Sequence, residues 1–278
     1  GEILVLEFDE RGAPMINSSE YVRRRGPKRR SSKNKRHDRR ARRRENSRPR
    51  RTKGKKSKNS KLAVVGAIYT LRKTRHGVDG PINKRLVATF QGHEALFVML
   101  RRGTDKRGYG RKRTLFLGDG SEHIWPCQQK YFPSAETGID WYHVIEKLWL
   151  AGECLFPEGS DELKAWIADR KRELRRGRIK AVLDTLSAGY EAIPKTGPGN
   201  KGRRKRLLAV FAYLAGHQHR MRYDRLMAEF GQIRRQGYAV EAVNAVIDWL
   251  FEDAGAETIL AGCDASNIAS VRTLRPLG

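Results

Sequence analysis

Residues 114–149 read TLFLGDGSEHIWPCQQKYFPSAETGIDWYHVIEKLW, and the fold is decided there. Thr114 to Gly118 is a short apolar run closed by Gly-Asp-Gly, the pattern of a buried strand running into a turn. Asp119 then stands at the carboxyl end of that strand, the edge where open α/β sheets place their chemistry. A second run, 137–139, presents Asp140, and 141–149 continues with helical periodicity. Two strand-end aspartates joined by a helix predict a βαβ unit with both carboxylates on one rim. A divalent cation suits such a rim, because hard cations take oxygen ligands and Mg²⁺ commonly uses one or two carboxylates. The competing reading makes Asp119 a plain helix cap. On spacing alone the cap stands slightly ahead, since aspartate is a favoured N-cap residue.

Nearer the N-terminus, Ile3 to Phe8 is a second apolar run, closed by Asp9 and a Gly/Pro turn: again a strand with a carboxylate at its end. Residues 62–71 (LAVVGAIYTL) predict a buried strand dense in β-branched side chains. A polar loop through Lys84 contains Gly-Val-Asp-Gly-Pro, 85–90 alternates as a further strand, and 92–102 reads as a short amphipathic helix. The resulting order is β-β-β-α-β.

Between these strands, residues 22–61 hold 22 Lys/Arg against only Asp38 and Glu45, a net of +20 out of the chain's +27. The remainder carries +7, basic but unexceptional. A segment so poor in apolar residues cannot bury enough surface to fold alone, and few aromatics interrupt it for base stacking. It predicts sequence-independent, salt-sensitive contact with a phosphate backbone. A solvated linker, or an RNA-binding tail, is the plainer alternative. No apolar run is long enough to cross a bilayer, and the expectation is that there is no signal peptide. The three cysteines (Cys127, Cys154, Cys263) are odd in number and widely spaced, which argues for neither disulfides nor a zinc cluster. The expectation is a cytoplasmic, nucleoid-associated protein.

Beyond Asp140 the pattern is helical. Residues 161–177 place Leu163, Trp166, Ile167 and Leu174 on one face, 178–190 continue in kind, and the loop 193–202 (IPKTGPGNKG) breaks the run. Residues 203–225 read as one basic helix. His217 and His219, two residues apart, do not share a helix face and read as surface or packing residues rather than a metal pair.

GDGSEHIW, then FP, then IDWYHVIEKLW resembles the core signature of the ISKra-type insertion-sequence transposases, GDGAxWIW…FPxAxxIxDxYHAxExLW. The resemblance implies a DDE-type enzyme with an RNase H-like fold, with Asp119 at the position of the second catalytic aspartate. Asp140 and His143 match the DxYH of the pattern. The opening FDERGAPM is similar to the family's DGTGVPM, which makes Asp9 the first catalytic aspartate, although Glu10-Arg11 replaces Gly-Thr. The helical DNA-binding region that the family carries ahead of this strand has no counterpart, so the expectation is a fragment. Residues 203–225, ending HQHRMRYDR, resemble the family's YLxxHxxRMxYxxY helix.

The family's continuation, a Gly-Ser-Gly motif leading to the catalytic glutamate, does not follow. Residues 232–278 instead resemble the acetyl-CoA-binding half of a GNAT-type N-acetyltransferase. Arg234, Arg235, Gly237 and Ala239 fit that superfamily's R/Q-x-x-G-x-G/A loop, and Asn267, Ser270 and Leu277-Gly278 fit its D-x-x-N-x-x-S…LG segment. A glycine-permitted loop at a helix N-terminus can offer backbone N–H groups to a pyrophosphate. An ordinary helix after a Gly turn is the competing reading. Glu241 lies near where the lost glutamate would fall, but it matches the acetyltransferase helix better.

Together these readings predict an α/β protein: an RNase H-like mixed sheet over residues 1–160, interrupted by the basic insertion 22–61. A helical extension over 161–229 follows, and then an α/β fragment resembling half a GNAT fold over 232–278. The leading expectation is metal-dependent DNA cleavage and strand transfer, whole or decayed. Asp9 and Asp119 would ligate Mg²⁺ or Mn²⁺, Asp140 is a weaker third candidate, and the partners are transposon ends and target DNA, with a homo-oligomer open. The alternatives are a GNAT-type acetyltransferase fragment binding acetyl-CoA through Arg234, Arg235, Gly237, Ala239 and Asn267, and a non-catalytic DNA-binding remnant acting through 22–61.

Overall fold

A computed structural model describes residues 2–14, 60–75 and 77–231. The basic stretch 22–61 therefore lies, up to Asn59, outside the described residues, as does all of 232–278. The chain divides into two compact units, Gly1–Glu10 with Val64–Gly278 and Arg11–Ala63; the helices and most of the sheet belong to the first.

Five strands form one mixed sheet: β1 (Glu2–Pro14), β2 (Ser60–Thr74), β3 (Gly77–Thr89), β4 (Arg113–Gly118) and β5 (Glu136–Ile139), in the order β3-β2-β1-β4-β5. β2 and β3 are antiparallel, while β1–β4 and β4–β5 are parallel. The parallel pairs need crossover helices. These are α1 (His93–Asp105), which precedes β4, and α2 (Ile124–Tyr131), between β4 and β5. Central β1 is buried on both faces from Ile3 through Phe8, which is why its sequence is apolar but for Glu7, whose carboxylate accepts the Tyr69 hydroxyl, rather than an alternation.

One face is covered by α1 and α2: Phe97 of α1 sits 6.0 Å from Phe8, 5.7 Å from Phe116 and 6.0 Å from Phe132, ring centre to ring centre. After β5 the chain runs through α3 (Trp141–Gly152), α4 (Asp161–Arg175), α5 (Ile179–Ala192), α6 (Asn200–His217) and α7 (Tyr223–Phe230). α3 packs on α4 and α6, α5 on α4 and α6, and α7 on α4. Trp141 meets Tyr223 edge-on at 5.0 Å, and the Tyr223 hydroxyl donates to the Ile139 carbonyl, tying α7 to the end of β5.

Three expectations are corrected. The Gly/Pro turn expected after Asp9 is strand, since β1 runs on to Pro14. The polar loop expected before Lys84 is strand: β3 starts at Gly77 and pairs with the outer half of β2, Thr74 against Gly77 and Arg72 against Asp79. This end of the hairpin is solvent-exposed, so its residues are polar although its backbone is paired. The single helix expected over 203–225 is two, α6 and α7, separated by a turn of tighter helix at Gln218–Arg220. Among the described residues no helix is long and apolar enough to cross a membrane.

Candidate functional site

Register brings the acidic residues together. Parallel pairing of β1 and β4 aligns Glu7 with Leu117, so two residues further on Asp9 and Asp119 come side by side where the pairing of these two strands stops. Parallel pairing of β4 and β5 aligns Gly118 with Ile139, and the Asp140 N–H donates to the Gly118 carbonyl at 2.8 Å. Asp119 and Asp140 thus directly follow the last residues of β4 and β5, while Asp9 lies within β1, two residues past its last partner on β4.

Their side chains take different roles. Asp119 Oδ1 accepts the Ser121 N–H at 2.8 Å, closing a tight turn. Its carbonyl accepts the Tyr213 hydroxyl at 2.8 Å, so α6 holds the turn from outside. Gly120 adopts φ 82°, a left-handed conformation, and a Cβ there would collide with the Tyr213 hydroxyl. Asp119 does not cap α2, whose N-cap position is His123. The helix cap is Asp140: it is fully buried, and its carboxylate accepts the backbone N–H of His143 at 3.4 Å and lies 3.3 Å from Nδ1 of the same residue. Capping fixes the first turn of α3 and thereby places His143, three residues on, over the strand ends.

One ligand atom each from Asp9, Asp119 and His143 lies within 4.8 Å of the others. All three side chains remain solvent-accessible. Asp140 is not in that group; it sits behind His143. Burial pushes the Asp119 carboxyl above its ordinary range, the charges of Glu10 and Asp9 add to that rise, and the Ser121 N–H and His143 oppose it. Crowded carboxylates of this kind repel each other unless a cation lies between them.

Beside the trio, Glu10 reaches His93 Nε2 at 2.6 Å and accepts the Ser121 hydroxyl at 3.3 Å. Glu10, His93 and Tyr213 carried no signal in the sequence, because each joins the site through a contact between distant segments. His143 was visible within the Asp-x-x-His spacing, but a ligand role depends on β1 and β4 arriving opposite it. His217 serves packing: its ring meets Tyr213 edge-on at 5.0 Å, and burial followed by the nearby Arg220 charge lowers its pKa.

Residues 205–278 match the acetyltransferase (GNAT) domain family, about a quarter of the chain. No curated protein matches the chain. The match supports the acetyltransferase resemblance of the C-terminal segment, and these findings carry nothing for the transposase resemblance. Arg234, Arg235, Gly237, Ala239 and Asn267 lie within the match and outside the described residues. Its first part, 205–231, spans the later turns of α6 and all of α7, which supply Tyr213 and Tyr223 to the strand ends.

Proposed function

We propose that the chain carries a divalent-metal site for phosphodiester cleavage in DNA, the chemistry a DDE-type transposase would use. The observation that carries this reading is the convergence of Asp9 from β1, Asp119 from the end of β4 and His143 from the first turn of α3. The strand order β3-β2-β1-β4-β5, with a β2–β3 hairpin and parallel β1, β4 and β5, supports an RNase H-like sheet behind it. Fold alone would not assign the activity.

The donor set fits a divalent cation: two carboxylates supply hard oxygen ligands, and a neutral imidazole adds a nitrogen. One nitrogen makes Mn²⁺ the better match than Mg²⁺, which favours oxygen throughout. Such a cation supplies Lewis acidity to a phosphoryl oxygen and acidifies bound water. The chain's own residues do the positioning. Asp140 receives the Nδ1 proton of His143, which makes Nε2 the ligating nitrogen. Ser121 anchors one oxygen of Asp119, and Tyr213 holds the turn that carries it. Cleavage of labelled duplex DNA in Mn²⁺ tests the reading. The wild type should nick and Asp119→Ala should not; equal nicking by both would remove the proposal.

A second reading rests on the family match: the C-terminal segment binds acetyl-CoA through the loop 234–239 and Asn267. It is the reading that the family comparison favours, as the first is the one that geometry favours. Calorimetry should then show saturable acetyl-CoA binding by the wild type and its loss in Arg234→Ala/Asn267→Ala. Absence of binding by the wild type would dismiss it.

A further inference from the structure

At the other end of the sheet, where β1 and β4 begin, a cleft of about 450 Å³ opens between the β2–β3 hairpin and the loop that joins α1 to β4. It is separated from Asp9 by the length of β1, roughly 23 Å for seven residues of strand. Its walls include Arg72, Lys106, Arg107, Arg111 and Lys112, with Glu2 the one carboxylate. An adjoining hollow shares Glu2, Arg111 and Lys112 and adds Lys73 and Arg113, so the positive surface runs on past the cleft. Cations of one sign concentrated in a concavity focus potential far more than the same charges spread over a convex surface.

The loop that supplies four of these cations, 106–112 (KRGYGRK), is held in shape. Gly108 takes φ 87°, and its carbonyl accepts N–H groups from both Arg111 and Lys112. Tyr109 packs edge-on against Phe132 at 5.3 Å, stacks under Arg101 at 4.6 Å, and its hydroxyl accepts from Ser134. The backbone that carries these cations is thus held in place before any ligand arrives. Glu2 engages Lys112 at 2.7 Å and Arg72 at 3.5 Å, while Lys106 and Arg111 make no ion pair among the described residues. Burial, followed by repulsion from Arg85, lowers the pKa of Arg107.

We infer that this cleft binds phosphate groups carried in series, as in a polyphosphate or a nucleic-acid backbone. Paired guanidinium and ammonium groups suit phosphate oxygens, the size lies within the range of ligand pockets, and the extended positive surface suits more than one phosphate. The site is separate from the metal-site reading, and its readout involves neither metal nor cleavage.

The test is residue-resolved lysine acylation of the full chain by mass spectrometry, with and without inorganic tripolyphosphate, in salt high enough to screen diffuse attraction. Lys106 and Lys112 should become protected by about fivefold or more, with exposed Lys180 and Lys201 unchanged as controls. In Lys106→Ala/Arg111→Ala, which alters two exposed side chains and should keep the native circular dichroism, protection of Lys112 should disappear. Displacement of the tripolyphosphate by a short DNA duplex would assign the cleft to nucleic acid. Tripolyphosphate that the DNA does not displace, followed as bound radiolabel, would assign it to a soluble polyphosphate. Protection spread evenly over all lysines, none at all, or protection of Lys112 that survives the double substitution would overturn the inference.

Discussion

Replacing Asp140 by asparagine separates holding a metal ligand from being one. The side chain is fully buried, accepts the His143 N–H and lies 3.3 Å from Nδ1 of that ring. Asparagine is as good an N-cap as aspartate, so α3 should keep its start. The negative charge facing the imidazole is lost, and with it the bias that keeps the proton on Nδ1 and the ligating nitrogen basic. Losing such a support behind a ligating histidine typically costs 10–100-fold in metal affinity, about 1.4–2.7 kcal/mol. The expected result is Mn²⁺ affinity weakened by about that factor in Asp140→Asn, measured by calorimetry, with native circular dichroism. Asp140→Ala should show the same loss of affinity and a further ~1 kcal/mol of instability from the missing cap. Unchanged Mn²⁺ affinity in both variants would defeat this prediction, because it would mean that His143 is not a ligand or does not depend on Asp140.

Two more outcomes follow from the same geometry. Gly120→Ala forces a side chain into a left-handed backbone and against Tyr213, so denaturant unfolding should show a loss of roughly 1–3 kcal/mol. Asp119 has a raised pKa in the folded protein, so the folded state holds more protons than the unfolded one and stability falls as pH rises from the ordinary aspartate range, about 4, to the raised value. Without metal, Asp119→Asn should therefore melt higher than wild type above that window, and the difference should vanish below it; added Mn²⁺ should reverse the order by stabilising the wild type alone.

Much of the architecture could be read from short local signals. The runs before Asp9, Asp119 and Asp140 announced strands because each is short and largely apolar, although the turn expected after Asp9 is strand to Pro14. Their register could not be read, and register is what sets Asp9 beside Asp119. The outer hairpin reads as a loop because Gly77, Asp79, Gly80 and Pro81 carry turn chemistry, although Gly77 and Asp79 pair with β2 and Gly80-Pro81 fall at a register irregularity within the strand. The break at Gln218–Arg220 contains neither glycine nor proline. It coincides with Arg220 lying 3.9 Å over the Trp125 ring, a contact between segments far apart in the chain, and with His217 packed on Tyr213 one helical turn before it. Asp140 shows the limit most clearly: a strand-end aspartate can ligate or cap, and only the approach of α3 with His143 distinguishes the two.

Everything proposed for the strand ends depends on Asp9, Asp119 and His143 holding one divalent cation. Electron paramagnetic resonance of Mn²⁺ titrated into the full chain reads that binding without intermediaries, with Asp9→Asn, Asp119→Asn and His143→Ala alongside. Saturable binding by the wild type, weakened in all three variants, is the expected result. Wild-type binding that survives all three substitutions, or no binding by the wild type, would overturn the metal site.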